Sequence, residues 1–126
     1  MSLIDNQGEP LFDWRPGMKA RELAGRSRGA TDLTLYYNEL DRGATTPLHR
    51  HTTDEVILVA EGTLEVRHGD ETLTAGSDHT WHIPANTPHG FTVKEPARLY
   101  IFFPMVDPFA EGNTTYLEGD PPSVPG

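Results

Sequence analysis

Two histidines one residue apart, His49 and His51, precede Glu55 in the segment GATTPLHRHTTDEVILVAEG at residues 43–62. A further histidine, His89, follows a proline-bounded turn in IPANTPHGF. Imidazole nitrogen and carboxylate oxygen are suitable donors for a divalent transition metal. On a β-strand, residues two apart share a face, so His49 and His51 project together about 7 Å apart. The bend at residues 52–54 lets Glu55 arrive from a neighbouring strand, with Ile57 and then Val59 on its inward face. By the same alternation His89, Phe91 and Val93 form a second inward set. The spacing predicts one ion held by His49, His51, Glu55 and His89 in a pocket lined by Ile57, Val59, Phe91 and Val93.

The elements that position these residues read as β almost throughout. Runs such as DLTLYYNEL, EVILVA, TLEVRH, ETLTA, HTWHI, GFTV and RLYIFF have strand length, and no stretch sustains a helical period. The 11 prolines and 12 glycines fall between these runs, which is the punctuation of an all-β sandwich or barrel. HGD at residues 68–70 reads as a hairpin tip, and EG at residues 61 and 62 as a second tight turn between separate strands. Residues 1–29 are more polar and are expected to give an outer strand or a dimer arm. Residues 30–106 form the barrel, and residues 107–126 a tail rich in proline and glycine whose last eight residues are expected to be loose.

Composition limits the partners. At 126 residues the chain is large enough for one core. A formal charge of -9, with ten Lys and Arg spread along the chain, leaves no basic stripe for phosphates. Nucleic acid and anionic membrane are therefore not expected as partners. No apolar run approaches the roughly 18 residues of a membrane span, and the first residues lack the pattern of a secretory signal, so the expected location is the cytoplasm. Without cysteine, any metal must be held by nitrogen and oxygen.

Together the candidate ligands and their flanking glycines resemble the cupin superfamily. Its first motif, G-x5-H-x-H-x3-E-x6-G, is matched at every fixed position by Gly43, His49, His51, Glu55 and Gly62. Composition alone would produce this match at about 2 in a million per starting position. The second motif, G-x5-P-x-G-x2-H-x3-N, is matched more loosely. Gly76, Pro84 and His89 are present with two extra residues between the first two, Asn86 replaces the inner glycine, and Val93 stands where asparagine is usual. Asparagine tolerates the positive φ that such a turn requires. The motifs span residues 43–93, and flanking strands extend the resemblance over about residues 30–104. It implies a single-domain antiparallel jelly-roll barrel, also called a double-stranded β-helix. It also implies one divalent ion, permitting Fe, Mn, Ni, Cu, Co or Zn, and pairing into a homodimer.

The function implied is that of a metal-dependent enzyme on a small oxygen-bearing metabolite such as a carboxylate, of dioxygenase, lyase, isomerase or sugar-acid-processing type. The turn IPANTPHG is similar to that of small cupins acting on unsaturated uronates. The tail LYIFFPMVDPFAEGNTTYLE is similar to that of small cupin lyases cleaving dimethylsulfoniopropionate. In those lyases a tyrosine two residues after the metal glutamate is implicated as a base; Ile57 occupies that place here. Tyr116 matches a second tyrosine of theirs and is the candidate catalytic residue, against a packing role in the tail. Two other readings use the same pocket: a non-catalytic sensor or binding cupin, and a metal-free sugar-modifying or structural cupin, which the complete ligand set disfavours. Arg98 is a candidate clamp for an anionic substrate, or a solvated arginine. His68 is expected at a surface hairpin tip, His79 and His82 on the surface or rim, and Trp81 in packing.

Overall fold

The computed structural model describes residues 3–123, and among them there is no α-helix. Nine strands follow in chain order: β1 (Phe12–Arg15), β2 (Met18–Ala24), β3 (Thr34–Leu40), β4 (His49–His51), β5 (Glu55–His68), β6 (Glu71–Ala75), β7 (His79–Ile83), β8 (His89–Phe103) and β9 (Thr114–Tyr116). Every named pairing between strands is antiparallel. Two long strands, β5 and β8, each serve both walls of the barrel. Their outer halves, residues 55–59 and 99–102, pair with each other and with β7 and β3. Their inner halves, residues 64–68 and 89–93, pair with each other, with β6, and through His89 with β4. The curled antiparallel sheet is an all-β jelly-roll barrel.

The turn expected at Glu61 and Gly62 is absent, because β5 runs through that point as one strand. Three register shifts between Val59 and Leu64 bend it instead. Gly62 lies at φ +91°, and a Cβ there would sit 2.3 Å from the Pro96 carbonyl oxygen and 2.6 Å from Ala97 Cα. The two strands thus cross closely at a bulge, turning the corner between the walls without ending. Likewise GFTV and RLYIFF are one strand, β8. The hairpin at residues 68–70 forms as expected, with His68 opposite Glu71 and Gly69 at φ +59°.

The first 29 residues supply β1 and β2, and β2 pairs along β3 from Met18 to Ala24. Trp14, Met18 and Ala20 reach the common core. The tail returns as β9 beside β4, and the Ser123 amide donates to the Trp14 carbonyl. Of the eight terminal residues expected to be loose, 124–126 lie outside the described residues. Alternation on the long strands fills the interior with Ile57, Val59, Leu64, Val66, Phe91, Val93, Leu99, Ile101 and Phe103. Each large apolar side chain buried this way contributes about 1.5–3 kcal/mol. This packed interior is the platform on which the polar cluster sits.

Candidate metal centre

β4 is only three residues long, with both histidines turned in and Arg50 turned out. Its partners fix its position: His49 lies opposite His89 of β8 on one side and Tyr116 of β9 on the other. Glu55 opens β5 opposite Ile83. The loop before β8 is shaped by Asn86 at φ +63°, whose amide donates to the His51 carbonyl at 2.7 Å. One ligand atom from each of His49, His51, Glu55 and His89 lies within 4.8 Å of the others, and all four residues are buried.

Each imidazole is held through Nδ1. His49 Nδ1 lies 2.7 Å from the Pro47 carbonyl and His89 Nδ1 2.8 Å from the Thr87 carbonyl. A carbonyl oxygen can only accept, so both Nδ1 atoms carry hydrogen and donate. His51 Nδ1 lies 2.7 Å from the Thr114 hydroxyl, which itself donates to the Pro108 carbonyl at 2.6 Å. With its only hydrogen spent, that hydroxyl accepts from His51. All three rings therefore present an Nε2 lone pair when neutral, the state a metal ligand requires.

The Nε2 side supports the same reading. His51 Nε2, His89 Nε2 and Glu55 Oε1 are buried without a hydrogen-bond partner. They nevertheless approach closely, with Glu55 Oε1 2.8 Å from His89 Nε2 and 3.3 Å from His51 Nε2. These contacts lack hydrogen-bond alignment, and an Nε2 lone pair this close to a carboxylate oxygen is repelled unless a proton or a metal cation lies between them. Donor atoms held about 2.1 Å from one ion are at most about 4.2 Å apart, so these two separations are short enough for one ion to bridge. Burial penalises the Glu55 carboxylate, but His51 and His89 overcome that and hold its pKa below the usual range. Burial also opposes charge on His89, and Glu55 overcomes it, raising the pKa. His49 is pushed down to about 3 by burial and by His89. Three neutral nitrogens and one carboxylate facing a common point fit a borderline divalent cation.

A cavity of about 20 Å³ adjoins the cluster and touches His49, Glu55 and His89. Ile57 and Phe91 line it, whereas Val59 and Val93 are buried in the core away from it. Arg98 is not there: it projects outward from β8 and pairs with Glu61 at 3.1 Å, because its position on the strand alternates with the buried Ala97 and Leu99. Tyr116 lines the cavity, its ring stacked on His49 at 5.7 Å. Burial pushes its pKa up to about 12, against the pull of Arg15, which is near its ring without forming an aligned hydrogen bond. His68 is half-buried rather than exposed, and accepts from the Trp81 indole at 3.1 Å. Trp81 packs edge-on against His89 at 5.8 Å. His79 and His82 are exposed, His82 beside Asp54 at 2.9 Å.

Sequence reasoning missed Thr114, Trp14 and Arg15. Trp14 and Arg15 line the cavity, and Thr114 accepts from His51 Nδ1 and fixes that ring. Their segments lie far from the motif in sequence, and no local spacing links them to it.

The fold and cluster define a class: a jelly-roll barrel with three histidines and one glutamate gathered inside. A family model for the cupin domain matches residues 36–103, more than half the chain. The chain belongs to the cupin family. It is similar to the structure of KdgF from Halomonas sp., at 26% identity and a TM-score of 0.75, covering 85% of this chain and 96% of that one. The polyketide cyclase RemF from Streptomyces resistomycificus shares 22% identity at a TM-score of 0.76, over 95% of this chain and 87% of that one. Oxalate decarboxylase from Bacillus subtilis shares 23% identity at a TM-score of 0.72, over 93% of this chain but only 33% of that one. No curated protein matches the sequence. Among the described residues no helix is long and apolar enough to cross a membrane.

Proposed function

We propose that this cupin is a metal-dependent enzyme acting on a small oxygen-bearing metabolite such as a carboxylate, with His49, His51, Glu55 and His89 as the metal ligands. The observation that carries this reading is the set of three Nδ1 contacts, which leaves three Nε2 lone pairs and the Glu55 carboxylate converging in a buried position. A bound divalent ion would supply Lewis acidity, or redox chemistry if the metal is redox-active. The chain's own residues do the rest. Ile57, Phe91 and Ile101 keep the cavity apolar, which strengthens electrostatic interactions inside it. Tyr116, stacked on His49 with its hydroxyl unpartnered, offers a hydrogen-bonding group to a bound molecule. The enzyme names carried by two of the structural neighbours, a polyketide cyclase and an oxalate decarboxylase, support catalysis as the use of such a barrel.

Ile57 beside Glu55 favours a second reading, a binding protein without turnover, because it places an inert side chain where a base would act. Metal-loaded protein incubated with a panel of small carboxylic and sugar acids, with Fe(II) and oxygen in one arm, separates the two. Product formation that disappears in His51→Ala supports the enzyme. Saturable binding without product supports the binding protein. A homodimer is part of the proposal: sedimentation equilibrium should give twice 14.0 kDa, and a mass of 14.0 kDa refutes it.

A further inference from the structure

The N-terminal hairpin sends to the metal cavity two side chains that simple strand alternation would place on opposite faces. Asp13 pairs with Lys19 and Arg15 with Met18, so the register slips between them and Trp14 is left over. A bulge of this kind re-aims the side chains around it. Trp14 and Arg15 consequently both line the small cavity that touches His49, Glu55 and His89. Arg15 is the only lysine or arginine on that wall, and Glu55 the only carboxylate. Arg15 makes no ion pair among the described residues, whereas Arg26, Arg28, Arg67 and Arg98 each do. Partial burial lowers its pKa, with Tyr116 and Asp120 opposing. The group is a cation drawn partly out of water with no carboxylate in ion-pair contact among the described residues.

The surroundings of Arg15 are equally unfinished. Its guanidinium carbon lies 5.8 Å from the Tyr116 ring centroid, and that ring in turn stacks on His49. Tyr116 Oη and Trp14 Nε1 are both buried with no hydrogen-bond partner, and Trp14 is only 7% exposed. Buried donors are almost always paired, so two orphans on residues that share a cavity wall with an unpaired cation call for an acceptor carrying negative charge. The metal side adds to this demand. A divalent ion with the single carboxylate of Glu55 keeps one net positive charge, and Arg15 supplies another.

We infer that Arg15, with Trp14 and Tyr116 beside it, is the specificity-determining half of the site and seats the carboxylate of a small organic acid whose remaining oxygen faces the metal ligands. This rests on the metal-centre reading above and adds the residues that select the ligand. A cavity of about 20 Å³ has room for about one or two water-sized groups, so only the smallest acids fit. Phe109 and Pro122 wall both this cavity and a neighbouring groove of about 940 Å³. Neutral analogues lose the charge complement at both ends.

The test uses the full chain labelled with 15N, free of metal and loaded with zinc, with acetate and acetamide as probes. Two sets of resonances read the site without turnover: the Arg15 Nε–H and the Trp14 indole N–H. Acetate should shift both, acetamide far less. Arg15→Gln should weaken acetate binding by about tenfold or more, and Arg15→Lys by less, since it keeps the charge but not the planar fork. The amide spectrum of each variant reports whether the fold is retained. Equal acetate affinity in wild type and Arg15→Gln, or acetamide binding as tightly as acetate, overturns the inference. Zinc uptake is measured separately in the same samples. Failure to take up zinc sinks the metal centre, while the dependence on Arg15 is still read in the metal-free protein.

Discussion

Replacing Thr114 with valine removes one hydroxyl and keeps the shape of the side chain. In the folded protein that hydroxyl accepts from His51 Nδ1 at 2.7 Å and passes its own hydrogen to the Pro108 carbonyl at 2.6 Å. His51 is only 2% exposed, so water cannot replace the lost acceptor. A buried unsatisfied N–H costs about 1–3 kcal/mol. The ring can escape that cost by moving its hydrogen to Nε2, which would then face the other ligands and block coordination. Loss of such an outer contact typically lowers metal affinity by about 10- to 100-fold. Zinc affinity measured by competition with a chelator should fall by that factor in Thr114→Val and stay near the wild-type value in Thr114→Ser. Nitrogen chemical shifts of His51 in metal-free protein should show the Nδ1–H form in wild type and its loss in the valine variant. Unchanged affinity together with an unchanged His51 tautomer would refute the hydrogen-bond chain as the device that sets the ligand.

Four further outcomes follow from the same geometry. Glu55→Gln keeps the size of the side chain but removes its charge, so zinc affinity should drop steeply and the His89 pKa, read by NMR titration, should fall from its raised position. His89 holds its proton to higher pH than a free imidazole when no metal is present, so zinc must displace it; affinity should climb with pH above about 6.5 and level off beyond the His89 pKa, with proton release on binding shrinking in step. Gly62→Ala places a Cβ against the Pro96 carbonyl at φ +91° and should cost about 2 kcal/mol or more in denaturant unfolding, with no cost meaning that the strand crossing relaxes freely. His68→Ala should leave metal occupancy unaltered while stripping the Trp81 indole of its acceptor, at about 1 kcal/mol.

What the sequence revealed and what it hid have physical causes. Period-2 alternation in HRH and EVILV places His49 and His51 on one face and Glu55 with Ile57 on another, and the structure brings them to one point. The proline-bounded turn before His89 is equally local, and its Asn86 adopts the positive φ expected of a glycine substitute. Gly62 misled because a glycine at positive φ serves a tight turn and a bulge equally well. Only the approach of Pro96 and Ala97, more than thirty residues away, decides for the bulge. Arg98, read either as a substrate clamp or as a solvated arginine, is the solvated one, its face set by the register of β8 through that same bulge. Thr114, Trp14 and Arg15 carry no motif because they reach the cavity through pairing of the two chain ends with the barrel.

The most direct test of the metal centre is elemental analysis of protein purified without added metal, followed by titration with a divalent ion. One transition-metal ion per chain is expected in the wild type, and none in His51→Ala at the same concentration. A wild-type chain that takes up no ion, or an alanine variant that holds it as firmly, would contradict the assignment of His49, His51, Glu55 and His89 as its ligands.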